Sequence, residues 1–415
     1  MGLGYARARP PGDGAGLEGP FDPTRPDPTP DRITMTDPKA EAAPMTPPPT
    51  GRILSIDALR GLDMLMIVGV DRLVRAWAEW SGSPRSAAIA GQFEHAEWEG
   101  FRFYDLIFPL FLFLVGAVLP FSIGKLEGQG RGAAYRRVAR RVVLLFALGL
   151  LCNNVLQFDW DDLRVAGVLQ RIAVCYGFAA VIVLNTSARG QLIVTSAILL
   201  GYWALLLGVA PPGGEAGDFS RQGNLAGWVD RHFLPGKILE PYYGYGDNEG
   251  LLSTIPAVAT TLLGALAGAW LRSARGPWEK AAGLAASGVA ALALGSAWGI
   301  WFPIIKNLWT SSFVLVAGGW SLLLLALFYA VIDAAGWRRW AFPLVVVGVN
   351  AITIYVVPRF LDFDRLSRFF FGGVSALADR RIAGDFTPVA AAIGVLVAEW
   401  LFLYYLYRRR IFLRV

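Results

Sequence analysis

The feature that limits this chain most is a succession of apolar runs, each long enough to cross a hydrocarbon core. A membrane-crossing helix takes roughly 20 residues. Ten such runs follow one another from Arg52 onward, over 53–74, 101–123, 141–157, 165–184, 190–209, 251–271, 281–302, 310–332, 341–358 and 388–407. The expected fold is therefore all-α, a polytopic membrane helix bundle of about ten transmembrane helices. Composition agrees: 55% of residues are hydrophobic and mean hydropathy is +0.46. Charged residues make up 17%, against about 25% in soluble domains.

The first fifty residues differ in kind, holding 12 of the 25 prolines and no apolar stretch. Residues 1–50 are expected to be a disordered, Pro-rich cytoplasmic tail, and 51–415 to be the transmembrane domain. No charged-then-apolar segment with a small-residue cleavage site stands at the start, so no cleavable signal peptide is expected. The two cysteines, Cys152 and Cys175, lie inside apolar runs, and there are only two histidines. That pattern supports neither a disulfide framework nor a Cys- or His-based metal centre.

Short loops rich in Lys and Arg stay on the cytoplasmic side of a membrane. The connection GKLEGQGRGAAYRRVARR (124–141), the turn RSARGPWEK (272–280), GWRR (336–339) and the ending RRRIFLRV share one side, and the acidic DWDDLR (159–164) lies on the other. An even number of spans then leaves the N- and C-termini in the cytoplasm. His95, between the first two helices, falls on the outer face.

Polar groups at membrane depth are costly, and those that occur often mark function. Asp57 and Arg60 stand three apart on the first helix, as a helix-start ion pair. Asp71 lies about 21 Å further along at 1.5 Å per residue. Asp105 opens the second helix at that outer level, Gln170 and Arg171 open the fourth, Glu249 precedes the sixth, Lys306 and Asn307 precede the eighth, and Asn350 sits within the ninth. A polar site in the outer third of the bundle is expected. The plainer alternative is that charges flanking the spans only snorkel to the interface, with His95 a headgroup-level residue of the aromatic-rich HAEWEGFRFY.

Several stretches resemble, in order, the heparan-alpha-glucosaminide N-acetyltransferase family: RILSIDALRGLDMLMIVGV, HAEWEGFRFYDLIFPLFLFLVGAVLPFSI, GVLQRIAVCY (167–176), EGLLSTIPAVATTLLGALAG (249–268), KNLWTSSFVL (306–315), GVNAITIYV (348–356) and YRRRIF. Together they reach across nearly all of 52–415. The resemblance implies a bacterial relative, multi-pass in the inner membrane, of an enzyme that carries acetyl from cytosolic acetyl-CoA to the glucosamine amine of heparan sulfate. It implies that His95, matching the family's HxxWxG histidine within HAEWEG, is the acetyl-transfer base. The family's asparagine in a VxVN context maps onto Asp71 of VGVD, which exchanges a group that only hydrogen-bonds for one that ionises.

An amine sheds a proton as it attacks a thioester, and an imidazole is suited to take it. Two routes stay open, His95 as general base in a ternary complex or as carrier of an acetyl-histidine intermediate, and direct transfer is the simpler. Under this reading His95 and Asp71 are catalytic. Arg136, Arg140, Gln170, Arg171, Asn307 and Asn350 bind acetyl-CoA, the α-helical arginines at its phosphates and the amides at its thioester oxygen. Asp105, Glu249 and Lys306 bind the acceptor. The donor is acetyl-CoA, and no metal is expected. The partners are an amino-sugar acceptor and the lipid bilayer, with a homodimer allowed and no nucleic acid. A second reading is a proton-coupled transporter of an N-acetylglucosamine-type amino sugar, in which Asp71 or His95 carries the proton. A reporter fused after Val415 is expected to signal cytoplasm and one inserted at Gly217 periplasm; a cytoplasmic signal at Gly217 breaks the ten-span arrangement.

Overall fold

A backbone surrounded by hydrocarbon must satisfy its own polar groups, and a helix does so locally. The computed structural model describes residues 53–124, 130–238, 243–382 and 385–413. Among them the chain forms fifteen α-helices and no strand beyond two isolated bridges. The expected tail 1–50 lies outside the described residues. In chain order the helices are α1 Leu54–Leu65, α2 Asp71–Ser81, α3 Pro84–Gly91, α4 Ile107–Gly124, α5 Arg131–Cys152, α6 Val168–Asn185, α7 Ala188–Gly208, α8 Leu225–Phe233, α9 Leu251–Arg272, α10 Pro277–Trp298, α11 Ser311–Phe328, α12 Phe342–Gly348, α13 Ala351–Val356, α14 Phe363–Arg381 and α15 Thr387–Arg408.

Seven of these elements are long and apolar enough to cross a membrane: α4, α6, α7, α9, α10, α11 and α15. The segment containing α12 and α13, bent by 59°, makes an eighth if it is one broken span. This polytopic helical architecture falls short of the ten spans expected. The two remaining runs are helical, but charge interrupts both: Asp57, Arg60, Asp63 and Asp71 on α1 and α2, and Arg131, Arg136, Arg137, Arg140 and Arg141 on α5. The first run also continues beyond 74. It kinks at Gly69 (φ 170°, ψ −7°) and ends at Ser81, where Gly82 adopts φ 57°. The stretches expected as polar loops contain α8 and the 19-residue α14.

Lipid tails are as apolar as leucine, so helices in a bilayer associate through close packing of small residues. A side chain placed at Gly116 of α4 would overlap the carbonyl of Thr261 on α9; one at Gly264 would overlap that of Phe113, and one at Gly268 that of Ala117. Phe113 thus meets Gly264 and Ala117 meets Gly268, in the same order along both helices. The two run parallel, and their N-terminal ends share one end of the bundle. Gly61 of α1 meets Leu344 of α12 while Gly348 meets Asp57, a second close pair of the same kind. It too is parallel: Ser55 donates to Asp333 just ahead of α12, and Met64 and Ile67 share a pocket with Ile352 and Tyr355 beyond it. Between these pairs the core holds Leu59, Phe113, Ala173, Leu262 and Phe313, all fully buried.

Gly264→Val forces a branched side chain against the α4 backbone and is expected to destabilise the fold by about 1–3 kcal/mol. The check is the melting temperature of the purified protein. Gly132→Val, where a side chain meets open space, is the control expected to leave it unchanged.

Candidate active site

The HAEWEG stretch folds into a pinned rim at the end of the bundle where α4 and α9 begin. Gly100 adopts φ 115°, a region that glycine alone enters readily. Its N–H donates to the Ile304 carbonyl at 2.9 Å, and Glu99 bridges to Ile305. Trp98 Nε1 donates to the Phe219 carbonyl at 2.9 Å. The loop is thereby fastened to the connection before α11 and to the one between α7 and α8.

Asp105, completely buried at the start of its span, closes the loop from below. Its Oδ2 accepts from the backbone N–H of Ala96 at 3.1 Å and of Arg102 at 3.0 Å. Its Oδ1 lies 2.8 Å from Nδ1 of His95. A carboxylate can only accept, so Nδ1 carries the hydrogen and Nε2 keeps a lone pair. Lys306 Nζ stands beside the ring, 2.8 Å from Nδ1, 3.1 Å from Nε2 and 3.4 Å from Asp105 Oδ1. The lysine side chain is 15% exposed. That burial holds its ammonium below the usual lysine range, with Asp105 and Glu249 pulling the other way.

His95 and Lys306 line a cavity of about 310 Å³, together with Gln170, Glu249 and Asn307. A narrower pocket of about 20 Å³, between Met64, Phe111, Ile172 and Ile352, extends from it toward the middle of the bundle. Arg164 braces one wall, donating from Nε to Asp247 at 3.0 Å and from Nη2 to Glu249. Burial weighs against the Arg164 charge, but the two carboxylates overcome it and lift the guanidinium above its ordinary value. Asp230 caps α9, accepting from the N–H of Leu251 at 2.8 Å, and burial pushes its carboxyl up to about 6. Trp309, buried in the cavity wall, holds φ 53°, a strained value for a bulky residue.

Five of the residues expected to act thus meet at one cavity: His95, Gln170, Glu249, Lys306 and Asn307. Asp105, expected to bind acceptor, sits behind the imidazole as its partner. Arg171 is buried next door, donating from Nη2 to the Gly250 carbonyl at 3.2 Å and to Ser253, and its guanidinium lies 5.0 Å from the Trp309 ring. Asp71 does not line the cavity; it pairs with Arg75, and the wall from that helix is Ile67, one turn earlier. Asn350 is buried at the break between α12 and α13 and does not line it either; neither amide atom has a hydrogen-bond partner among the described residues. Arg136 and Arg140 are exposed on the first half of α5, about 14–20 Å from Gly149 of the cavity wall at 1.5 Å per residue. Arg164, Asp247 and Arg359 were not anticipated. Arg164 is the single basic residue of the acidic DWDDLR, directly ahead of an apolar run, and that position was its available signal.

Fold and site define a multi-pass helical membrane protein with a carboxylate-buttressed histidine at one end of its bundle. The chain matches no protein-family model. It is similar to the heparan-alpha-glucosaminide N-acetyltransferase of Homo sapiens, 27% identical over 265 residues that cover 52% of this chain and 38% of the human protein. It is similar also to the enzyme of that name from Mus musculus, 26% identical over 266 residues with coverage of 52% and 38%. The chain spans well under half the length of these curated relatives, and the match takes in about half of this chain, less than the 52–415 over which the motifs resemble the family. These similarities support a distant kinship with the heparan-alpha-glucosaminide N-acetyltransferases.

The depressed Lys306 ammonium has a consequence for stability. The unfolded lysine titrates near 10.4, so between the folded value and that one the unfolded chain binds more protons, and stability rises with pH across the window. Lys306→Met is expected to flatten this rise, measured as melting temperature from about pH 7 to about pH 10.

Proposed function

We propose that this chain is a membrane acetyltransferase that moves acetyl from acetyl-CoA to the amine of an amino sugar or related acceptor, with His95 as general base. The observation that carries the reading is the Asp105–His95 pair at a polar cavity, in a chain similar to membrane N-acetyltransferases. The relatives are named for a glucosaminide acceptor, and an amino sugar follows that chemistry.

The amine nitrogen attacks the thioester carbonyl, forming the C–N bond as the C–S bond breaks. Nε2 of His95 takes the amine proton and delivers it to the departing thiolate. Asp105 stays ionised throughout; it fixes the tautomer and stabilises the imidazolium that forms. Lys306 and the Asn307 amide donate to the thioester oxygen as it becomes negative. The N-terminal ends of α4 and α6, and the residues just ahead of α9, border the cavity and add partial positive charge there.

The donor's nucleotide belongs at the opposite end of α5, where Arg136 and Arg140 supply cations for its phosphates, and its slender thioester arm lies along the interior toward the 20 Å³ pocket. That basic end is cytoplasmic by the positive-inside rule. The acceptor then reaches His95 from the periplasmic face of a bacterial inner membrane. The transporter reading is not favoured: of its two candidate proton carriers, Asp71 is paired with Arg75 away from the cavity and His95 is the residue the acetyltransferase reading uses as base, and both relatives are named as acetyltransferases.

Purified protein in detergent with labelled acetyl-CoA and a panel of amino sugars provides the test. His95→Gln is expected to abolish transfer, and Asp105→Asn to lower kcat by about 10²–10⁴-fold with the protein still folded. Asp71→Asn is expected to keep most of its activity. Undiminished turnover in His95→Gln sinks the reading.

A further inference from the structure

Beside the His95 cavity lies a larger one of about 510 Å³, bounded by α6, α7 and α9. Its walls are apolar. Val174, Phe178 and Ile182 recur at four-residue spacing along one face of α6, opposite Ile255 and Val258 of α9. Phe178 is 61% and Ile255 43% exposed, on helices apolar enough to cross a membrane, so the opening faces hydrocarbon. From Gln170 to Ile182 the groove follows α6 for about 18 Å.

One end of this groove differs from the rest. Gly167, Gln170 and Glu249 line both it and the His95 cavity, so the two spaces adjoin. Arg171, only 3% exposed, lines the groove there. Its Nη2 is held by Gly250 and Ser253, but Nε and Nη1 have no hydrogen-bond partner among the described residues, and neither has Nε2 of Gln170. Buried donors are rarely left unmet. Three of them at the polar end of an apolar groove call for a ligand that brings acceptor oxygens with a hydrocarbon tail.

We propose that the acceptor is lipid-borne: one hydrocarbon chain lies in the α6–α9 groove, a phosphoryl group beside it accepts from Arg171 and Gln170, and the amine beyond reaches His95. This rests on the acetyltransferase reading and specifies its acceptor class. A water-soluble sugar has no route in from hydrocarbon, and neither has the nucleotide of acetyl-CoA. A neutral lipid would leave Nε and Nη1 of the guanidinium without acceptors, whereas phosphate oxygens fit these spare N–H bonds. The chemistry is unchanged: the amine nitrogen bonds to the acetyl carbon, the C–S bond breaks, the amine proton passes through His95 to the thiolate, and the phosphoryl group is left intact.

The test uses the full chain in nanodiscs and two amphiphiles with the same diazirine-bearing alkyl chain, an alkyl phosphoglucosamine and an alkyl glucosaminide without phosphate. The phosphoryl probe is expected to crosslink to the α6 and α9 groove residues about tenfold or more above the neutral one. Arg171→Leu, and independently Val174→Trp, should bring it down to the neutral level. With acetyl-CoA, the KM for the alkyl phosphoglucosamine should lie about tenfold or more below that for chainless glucosamine 1-phosphate. Val174→Trp should erase that difference by raising the KM of the alkyl acceptor to that of the chainless one. Equal labelling by the neutral probe marks a cleft for bystander lipid and overturns the proposal, as does an equal KM for the two phosphorylated amines. Acetylation of soluble amines without groove labelling removes the lipid and leaves the acetyltransferase. Groove labelling with no acetylation of any amine removes the acetyltransferase, and the acceptor assignment with it.

Discussion

The approach of α4 to α9 sets the geometry of everything at the His95 end. Carbonyls on each helix stand where a β-carbon on the other would be, and only glycine allows it. In a solvent that gives apolar surfaces no reason to leave it, such backbone contact is a main source of cohesion between helices. Because the two helices run parallel, their first residues lie abreast, which brings Asp105 and Glu249 to the same level on different elements. The parallel meeting of α1 and α12 brings Ile67 and Tyr355, both beyond the ends of those helices, to that level from the other side.

On this frame the charged groups divide their work. Asp105 spends one oxygen on the imidazole and the other on two backbone N–H groups, so ring orientation and loop closure depend on the same carboxylate. Arg164 gathers Asp247 and Glu249 in an arrangement whose partners are largely buried. Removing one member of such a set leaves another charge uncompensated, which costs far more than the intact set contributes. The cavity wall is therefore held by paired charges on that side, and Lys306, whose long side chain reaches the His95 ring from a separate connection, completes it.

Much of the helical layout was legible because hydrophobic length survives any detail of packing. Helix limits were not. α2 continues to Ser81 with charged residues, and α14 is amphipathic, so hydropathy passed over both. Gathering Gln170, Glu249, Lys306 and Asn307 near His95 was legible from their common depth, since helices that begin at one membrane face bring their first polar residues together. The partner of His95 was not, because Asp105 stands ten positions further on across a largely irregular stretch and no periodicity pairs them. That Asp71 stands outside the cavity was not legible for a related reason: a position matched by motif gives depth along a helix, whereas the chain bends at Gly69, ahead of Asp71.

The cavity draws its walls from stretches spread across most of the described chain, and this matters for how the protein is made. Lys306 follows His95 by 211 residues, which at about 5–20 residues per second is some 10–40 s of synthesis. Tyr355 and Arg359 emerge later still. Throughout that interval the nascent protein holds the His95 loop with an unfinished enclosure, so the cavity is complete only when insertion is nearly so. A chain cut short before Lys306 therefore lacks one of the groups that stands beside the His95 ring.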